Sequence, residues 1–334
     1  MSKTLRQGFD RRRFTGGAAA AALTLAAPPP GFAQAYPSRP VRVIIPFTPG
    51  GAPDVLLRLV AQKLSEKWGQ VVVVENRAGG NTLTGTVAVT KGPTDGYTLL
   101  LTGDQTFVLN PLLYPTLPYS MKELDPVILL ASIPHMLAVS HKVPASNVKE
   151  LIALARQKPD TMTYGTTGPG TIQRIATEYF AGIAGIKLVH VPYKGANETT
   201  TAILAGEIDM TINGMSNILP HIGEGKLKAL AVSTAKRNPL APNVPTMQEA
   251  GVPAADVELR FWFAIFGPKG LPDVVKAKLS QAITKVMTNP KVAERLAKLD
   301  ITPNVISGPA MHAKLVSEIK NWTRFVDAKG IKAE

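Results

Sequence analysis

Residues 163–180, TYGTTGPGTIQRIATEYF, join a glycine-bearing turn directly to a helix. Ile172, Ile175, Ala176 and Tyr179 fall at i, i+3, i+4 and i+7, one face of an α-helix, and MTYG before the turn reads as a short strand. A strand, a loop with Gly168 and Gly170, and then a helix start can bind an anion. First-turn N–H groups have no partner within the helix, and the helix dipole adds partial positive charge there. Thr166, Thr167 and Thr171 add hydroxyl donors in the number a single carboxylate needs. Two more strand–loop units share this form, PFTPGGAPD at 46–54 and PYKGANE at 192–198. In the first, Gly50 and Gly51 let the backbone approach a ligand closely, and Asp54 is placed to cap the following helix. In open α/β sheets ligands sit beyond the carboxyl ends of the strands, so such loops from two lobes would face one cleft.

Other chemistries lack their residues. A phosphate-binding P-loop needs Gly-Lys-Ser/Thr, and TTGPGTIQ has no lysine there; the dinucleotide pattern G-x-G-x-x-G breaks at Gln173. The five histidines, His135, His141, His190, His221 and His312, form no H-E-x-x-H pair, and no Asp/His cluster suggests a metal. There is no G-x-S-x-G elbow. The chain contains no cysteine, which removes disulfides, thiolate zinc sites and cysteine nucleophiles. His190 reads as a packed strand residue, Asp209 as structural, and Phe261-Trp262-Phe263 as core or hinge packing. No catalytic residue, metal or cofactor is expected.

The elements that position these loops alternate. VRVIIPF is a buried strand, followed by the helix DVLLRLVAQKLSEKWG, the strand VVVVEN, a helix through Val87 to Val89, and the strands YTLLLT, VILLAS and MLAVS. A second series begins near His141. NVKELIALARQ is a helix with Asn147 and Glu150 at capping-box spacing. MTYG, the helix after TTGPGT, KLVHVPY, a helix through TTTAILAGE, DMTING, a helix through NILPHIGEG and LKALAVST follow. After NPLAPNVPT and a short helix, RFWFAIFG reads as a strand, and two amphipathic helices close the chain around VVKAKLSQAITKVM and AMHAKLVSEIKNWTRFV. The rhythm is that of an α/β protein with parallel sheets covered by helices, in two lobes.

The 334 residues have room for two domains, and 45% hydrophobic with 18% charged residues is a globular composition. Lys3, Arg6, Arg11, Arg12 and Arg13 precede the uncharged stretch Gly16 to Ala27, too short to span a bilayer. Ala33-Gln34-Ala35 then offers a cleavage site, so residues 1–35 read as an export signal and Tyr36 as the first mature residue. Arg11-Arg12-Arg13-Phe14 fits a twin-arginine signal; an arginine-rich general secretory signal is the alternative. Residues 1–35 carry five basic and one acidic side chain, so their removal lowers the formal charge from +13 to +9. The remaining Lys and Arg are dispersed, without the dense runs or interleaved aromatics of a nucleic-acid groove, so no nucleic-acid partner is expected.

YPSRPVRVIIPFTPGGAPDVLLR, VVVVENRAGG, DGYTLLLT, LVHVPYKGANETTTAILAGEIDM, LKALAVSTAKR, NVPTMQEAG and GPKGLP, in that order, resemble the Bug family. These are the extracytoplasmic solute receptors of tripartite tricarboxylate transporters. The resemblance implies a bilobal periplasmic-binding-protein fold of type II, two α/β lobes joined by two crossover strands, here MLAVS and RFWFAIF. Lobe 1 would be 36–140 plus 259–334 and lobe 2 would be 141–258. It implies a monomeric periplasmic receptor that holds a small organic acid (a dicarboxylate, an aromatic acid or similar) in the interlobe cleft. Delivery would be to the membrane permease subunits of a tripartite tricarboxylate transporter.

By position, Phe47, Thr48, Gly50, Gly51, Ala52 and Asp54 would form the first-lobe loop of the site, and Thr166, Thr167, Gly168, Gly170 and Thr171 the second-lobe loop. Tyr193, Lys194 and Asn213 would join them, with Thr102, Asp104 and Gln105 at the other end of the cleft. The chain departs from the family pattern where Gln173 takes a usual histidine position, where Asp104 and Gln105 replace small neutral residues, and at Leu83. An aspartate in the cleft would disfavour a second carboxylate and pair with an amine or hydroxyl; alternatively Asp104 faces solvent. Two other functions share these features: a ligand-presenting sensor subunit for a membrane kinase, and an exported enzyme acting on a small acid with Asp104, Asp54 or Tyr193 as base.

Overall fold

Short apolar runs become buried strands, and most of them lead directly into a helix. In the computed structural model, which describes residues 36–252 and 260–329, β1 (Val41–Ile45) leads to α1 (Ala52–Trp68), and β2 (Val72–Asn76) to α2 (Leu83–Thr90). β3 (Thr98–Gly103) leads to a π-helical turn, Gln105–Leu109, and to the short α3 (Asn110–Leu113). After β4 (Leu124–Ser140) come α4 (Val148–Gln157), β5 (Thr163–Thr166), α5 (Ile172–Ala184), β6 (Val189–Pro192), α6 (Ala196–Ala205), β7 (Met210–Gly214), α7 (Met215–Ile222) and β8 (Leu227–Val232). β9 (Arg260–Pro268), α8 (Asp273–Met287), α9 (Pro290–Ala297), β10 (Thr302–Ser307) and α10 (Gly308–Lys329) follow. Contacts group the chain into Met1–Ser38 and Arg39–Glu334, and every helix and strand described lies in the second group. The export-signal expectation falls on residues outside the described ones.

The sheet is mixed. β1 lies between β2 and β3, parallel to both, while β9 pairs antiparallel with β3 and β4. β5 lies between β6 and β7, again parallel, and β7 runs antiparallel to β4. β3 is buried at all six positions, the burial of a strand covered on both faces.

VILLAS and MLAVS, expected as two strands, are one, because β4 runs unbroken through Pro134. Proline has no N–H to give a ladder, and it stands where the partner changes. β9 pairs with β4 from Leu124 to Pro134; β7 takes over at His135. The first half of β4 also carries β10 and the second half β8, so one strand serves two groups of strands.

Other boundaries differ from expectation. Among the described residues the short helix expected after NPLAPNVPT is absent: Thr246 makes a lone bridge to Val232, and 247–251 are turns ending at Gly251 with φ +88°. A proline-rich entry and a left-handed glycine exit leave room for barely one turn. The close of the chain also contains α9 and β10, which the pattern ITPNVIS concealed because Pro303 interrupts it; Pro303 lies beside a register shift in the β4–β10 ladder. Asn147 does cap α4, its Oδ1 accepting from the Glu150 N–H at 3.0 Å.

Candidate functional site

Because α1, α2, α5, α6 and α7 each follow a parallel strand, their N-termini gather at the carboxyl ends of those strands. A cavity of about 510 Å³ lies there. Gly51 and Ala52 from the start of α1, Thr82 from α2, Gln173 from α5, Gly195 and Ala196 from α6, and Gly214 and Ser216 from α7 all line it. The N-caps of α1, α2, α6 and α7 make no side-chain hydrogen bond to their first turns. Away from the lining, α4 and α9 are capped by their own asparagines, Asn147 and Asn289, whereas α8 starts uncapped at Pro272. The cavity therefore collects unspent N–H donors and the positive ends of several helix dipoles. Among the described residues, the only charged ones on the lining are Lys194 and Glu198, both exposed.

The structure brings eleven of the expected site residues to this cavity: Phe47, Thr48, Gly51, Ala52, Gln105, Thr167, Gly168, Gln173, Tyr193, Lys194 and Asn213. It does not bring Gly50, Asp54, Thr102, Asp104, Thr166, Gly170 or Thr171 to the lining, and each has a physical reason.

In the TTGPGT loop the hydroxyls are spent on the loop itself and its neighbours. Thr166 Oγ1 donates to the Gly168 carbonyl at 3.1 Å, accepts from the Gly168 N–H at 3.2 Å and lies 2.7 Å from His190 Nε2. Thr171 Oγ1 donates to the same carbonyl at 2.8 Å and caps α5. Both threonines are fully buried. Gly170 lies so close under Asn81 that a Cβ would overlap the asparagine side chain. What the loop shows the cavity is Gly168 and the Thr167–Gln173 pair, bonded at 3.1 Å. His190 stacks on Tyr164 with ring centroids 5.0 Å apart, and Asp209 accepts from the Thr163 N–H and hydroxyl, both as packing residues.

Asp54 does not cap α1; it lies in the first turn, behind the loop. It accepts from the Gly50 N–H at 3.0 Å, from Arg58 Nε at 2.9 Å and from Asn76 Nδ2 at 2.9 Å. Burial pushes its pKa up, but the bonds from Arg58, Gly50 and Asn76 together outweigh that and hold the carboxyl below its ordinary range. Gly50, with φ +81°, makes the turn and spends its N–H on this anchor.

Asp104 is neither in the cleft nor facing solvent. It is 2% exposed beneath the site, with Oδ1 accepting from the Gln105 N–H at 2.9 Å. Burial raises its pKa well above the carboxylate range, and the charge of Glu318 adds to the rise. Thr102 is likewise buried, its hydroxyl bonded to that of Thr106. Gln105 does reach the lining, where its side chain bonds Asn81.

Several lining residues were not expected. Gly79, Gly80, Asn81 and Thr82 line the cavity from the VENRAGG loop, all with positive φ. Two glycines and an asparagine after a strand are the same signal as in the other loops. Phe261 and Phe263 also line it, Phe263 meeting Phe47 edge-on at 5.7 Å, while Trp262 points away into the core. Period-two alternation along β9 separates the two faces.

Residues 56–331 match the family model described as the tripartite tricarboxylate transporter family receptor, TctC. BugT of Bordetella pertussis (strain Tohama I) is 33% identical over 302 residues, which cover 90% of this chain and 92% of BugT. Rpa4515 of R. palustris, solved with adipate, has a TM-score of 0.84 at 32% identity, covering 89% of this chain and 99% of that one. MatC (Rpa3494) of Rhodopseudomonas palustris, solved with bound malate, has a TM-score of 0.79 at 26% identity, covering 87% of this chain and 100% of that one.

Proposed function

The chain belongs to the tripartite tricarboxylate transporter receptor family, which consists of solute-binding receptors and not enzymes, and from that premise we propose that it captures a small carboxylate in the cavity and hands it to the transporter's membrane permease. One observation carries the proposal: four helices open onto the cavity from N-caps that make no side-chain hydrogen bond to the first turn. A volume of about 510 Å³ is that of a small-molecule site. The adipate and malate held by Rpa4515 and MatC support the choice of a carboxylate.

Lobe 1 (36–140 plus 259–334) and lobe 2 (141–258) would close on the ligand by a hinge motion, since only the closed form offers donors from both at once. Two contacts across the proposed boundary support this. Asn197 Nδ2 donates to the Pro49 carbonyl at 3.2 Å, and Gly195 packs against Thr48. The eleven expected residues on the lining are the proposed contact set. The protein would work as a monomer in the periplasm, after export on residues 1–35.

A thermal-shift screen of the purified protein against small carboxylates and their amides tests the proposal. A ligand at roughly a thousandfold over its dissociation constant adds about 4 kcal/mol to the folded state, several degrees for a chain of this size. A carboxylate hit that its amide does not reproduce supports it. Responses confined to uncharged compounds would sink the carboxylate and leave the receptor fold standing.

A further inference from the structure

The loop that looked most like an anion site has spent its threonine hydroxyls, and another corner of the same cavity keeps side-chain donors open. We propose that the ligand's carboxylate binds where β7 passes into α7, held by the Asn213 amide, the Ser216 hydroxyl and the first-turn N–H groups of α7. This assignment rests on the carboxylate-receptor function proposed above and says which part of the cavity carries it out.

Asn213 is 1% exposed and lines the cavity. Its Oδ1 accepts from the Gly214 N–H at 2.8 Å, which fixes the amide orientation, since only oxygen can accept there. The Nδ2 group is thereby turned away from the backbone and, among the described residues, has no hydrogen-bond partner, nor has the buried Ser216 Oγ. Two buried donors left open on one cavity wall cost stability until an acceptor arrives. The helix start beside them is equally open. α7 begins at Gly214 with no side-chain cap and no acid in its first turn, whereas α1 and α6 carry Asp54 and Glu198 there, and α5 is capped by Thr171.

Gly214 marks where these donors converge. A Cβ placed on it would lie 3.4 Å from Asn217 Nδ2, 3.8 Å from Ser216 Oγ and 3.6 Å from Ile133 Cγ2. Donors on one side and the branched apolar side chain of Ile133 on the other are what a carboxylate joined to an apolar body requires. Phe261 and Phe263 extend the apolar side. No charged side chain is needed at the corner, because neutral donors and the helix dipole together stabilise one negative charge.

Isothermal titration of the purified protein with adipate, malate and benzoate, in the wild type and three variants, tests the assignment. Asn213→Asp puts a charge of the ligand's own sign in place of the donor and should weaken binding by roughly a hundredfold. Gly214→Ala suits the observed φ of −54° and makes only ordinary van der Waals contacts, so the fold should tolerate it while the methyl fills the corner. It should weaken binding at least about tenfold, and it decides the matter if Asn213→Asp does not fold. Thr167→Ala, at a contact in the TTGPGT loop outside the corner, should weaken binding less than either corner variant does. If both corner variants bind acids as the wild type does while Thr167→Ala loses them, the corner assignment is overturned and the receptor function stands. If the wild type binds none of the three acids, the carboxylate function and the corner fall together.

Discussion

Asn76 Nδ2 donates to Asp54 Oδ1 at 2.9 Å, tying the end of β2 to the first turn of α1 behind the cavity loop. With Gly50 and Arg58 as further donors, one carboxylate holds the loop 46–51 in shape. Asp54→Asn should destabilise by about 2 kcal/mol at neutral pH, the scale of hydrogen bonds to a charged group. Because the folded pKa of Asp54 lies below its unfolded value, the wild-type advantage is present above the unfolded pKa. It disappears as pH falls through the folded one. Melting curves of both proteins across acid pH check this; a gap independent of pH would contradict it.

Gly195 N-caps α6 against the loop from β1. A Cβ there would overlap Thr48 Oγ1 and lie 2.8 Å from Glu198 Oε2. Gly195→Ala should force the two loops apart and weaken carboxylate binding at least about tenfold with little change in melting temperature. Adding Thr48→Ala removes the clashing group, so the double variant should regain part of the lost affinity. Titration of the single and double variants decides it.

Asp104 has the opposite pH sign to Asp54. A carboxyl whose folded pKa is raised contributes stability that is full below its unfolded pKa and is lost as pH rises through the folded value. Asp104→Asn cannot ionise. It should therefore melt with the wild type near about pH 4 and increasingly above it towards about pH 8. Equal melting temperatures at both ends would show that Asp104 bears no such cost.

Export is testable without the fold. Replacing Arg11 and Arg12 by lysine should hold the protein in the cytoplasm if the twin-arginine route is used, and the exported protein should begin at Tyr36. Cell fractionation with mass spectrometry reads both. Undiminished export of the double-lysine protein would indicate the general secretory route.

Much of the architecture was legible because its signals are local. The apolar runs 41–45 and 98–101, the glycines after β1 and β5, and the face of Ile172, Ile175 and Ala176 each report backbone conformation within a few residues. Those signals marked the loops that carry Phe47, Thr48, Gly168 and Tyr193, which line one cavity, while the choice of individual residues came from the family resemblance. Pro134 misled, because a proline reads as a break unless the change of partner strand at that residue is known.

The sequence by itself determined the α/β alternation, the glycine loops at strand ends and hence the existence of a cleft rich in N–H donors. Only the tertiary structure decided which donors remain available. Thr166 spends its hydroxyl partly on His190, 24 residues away, and Asp104 is buried where the charge of Glu318 reaches it. Asn213 keeps its Nδ2 group open because its neighbour's N–H takes the oxygen and no other partner among the described residues reaches it. Turn and helix signals arise from bonds between near neighbours, whereas the spending of a side-chain donor depends on whichever distant group packing brings within about 3 Å of it.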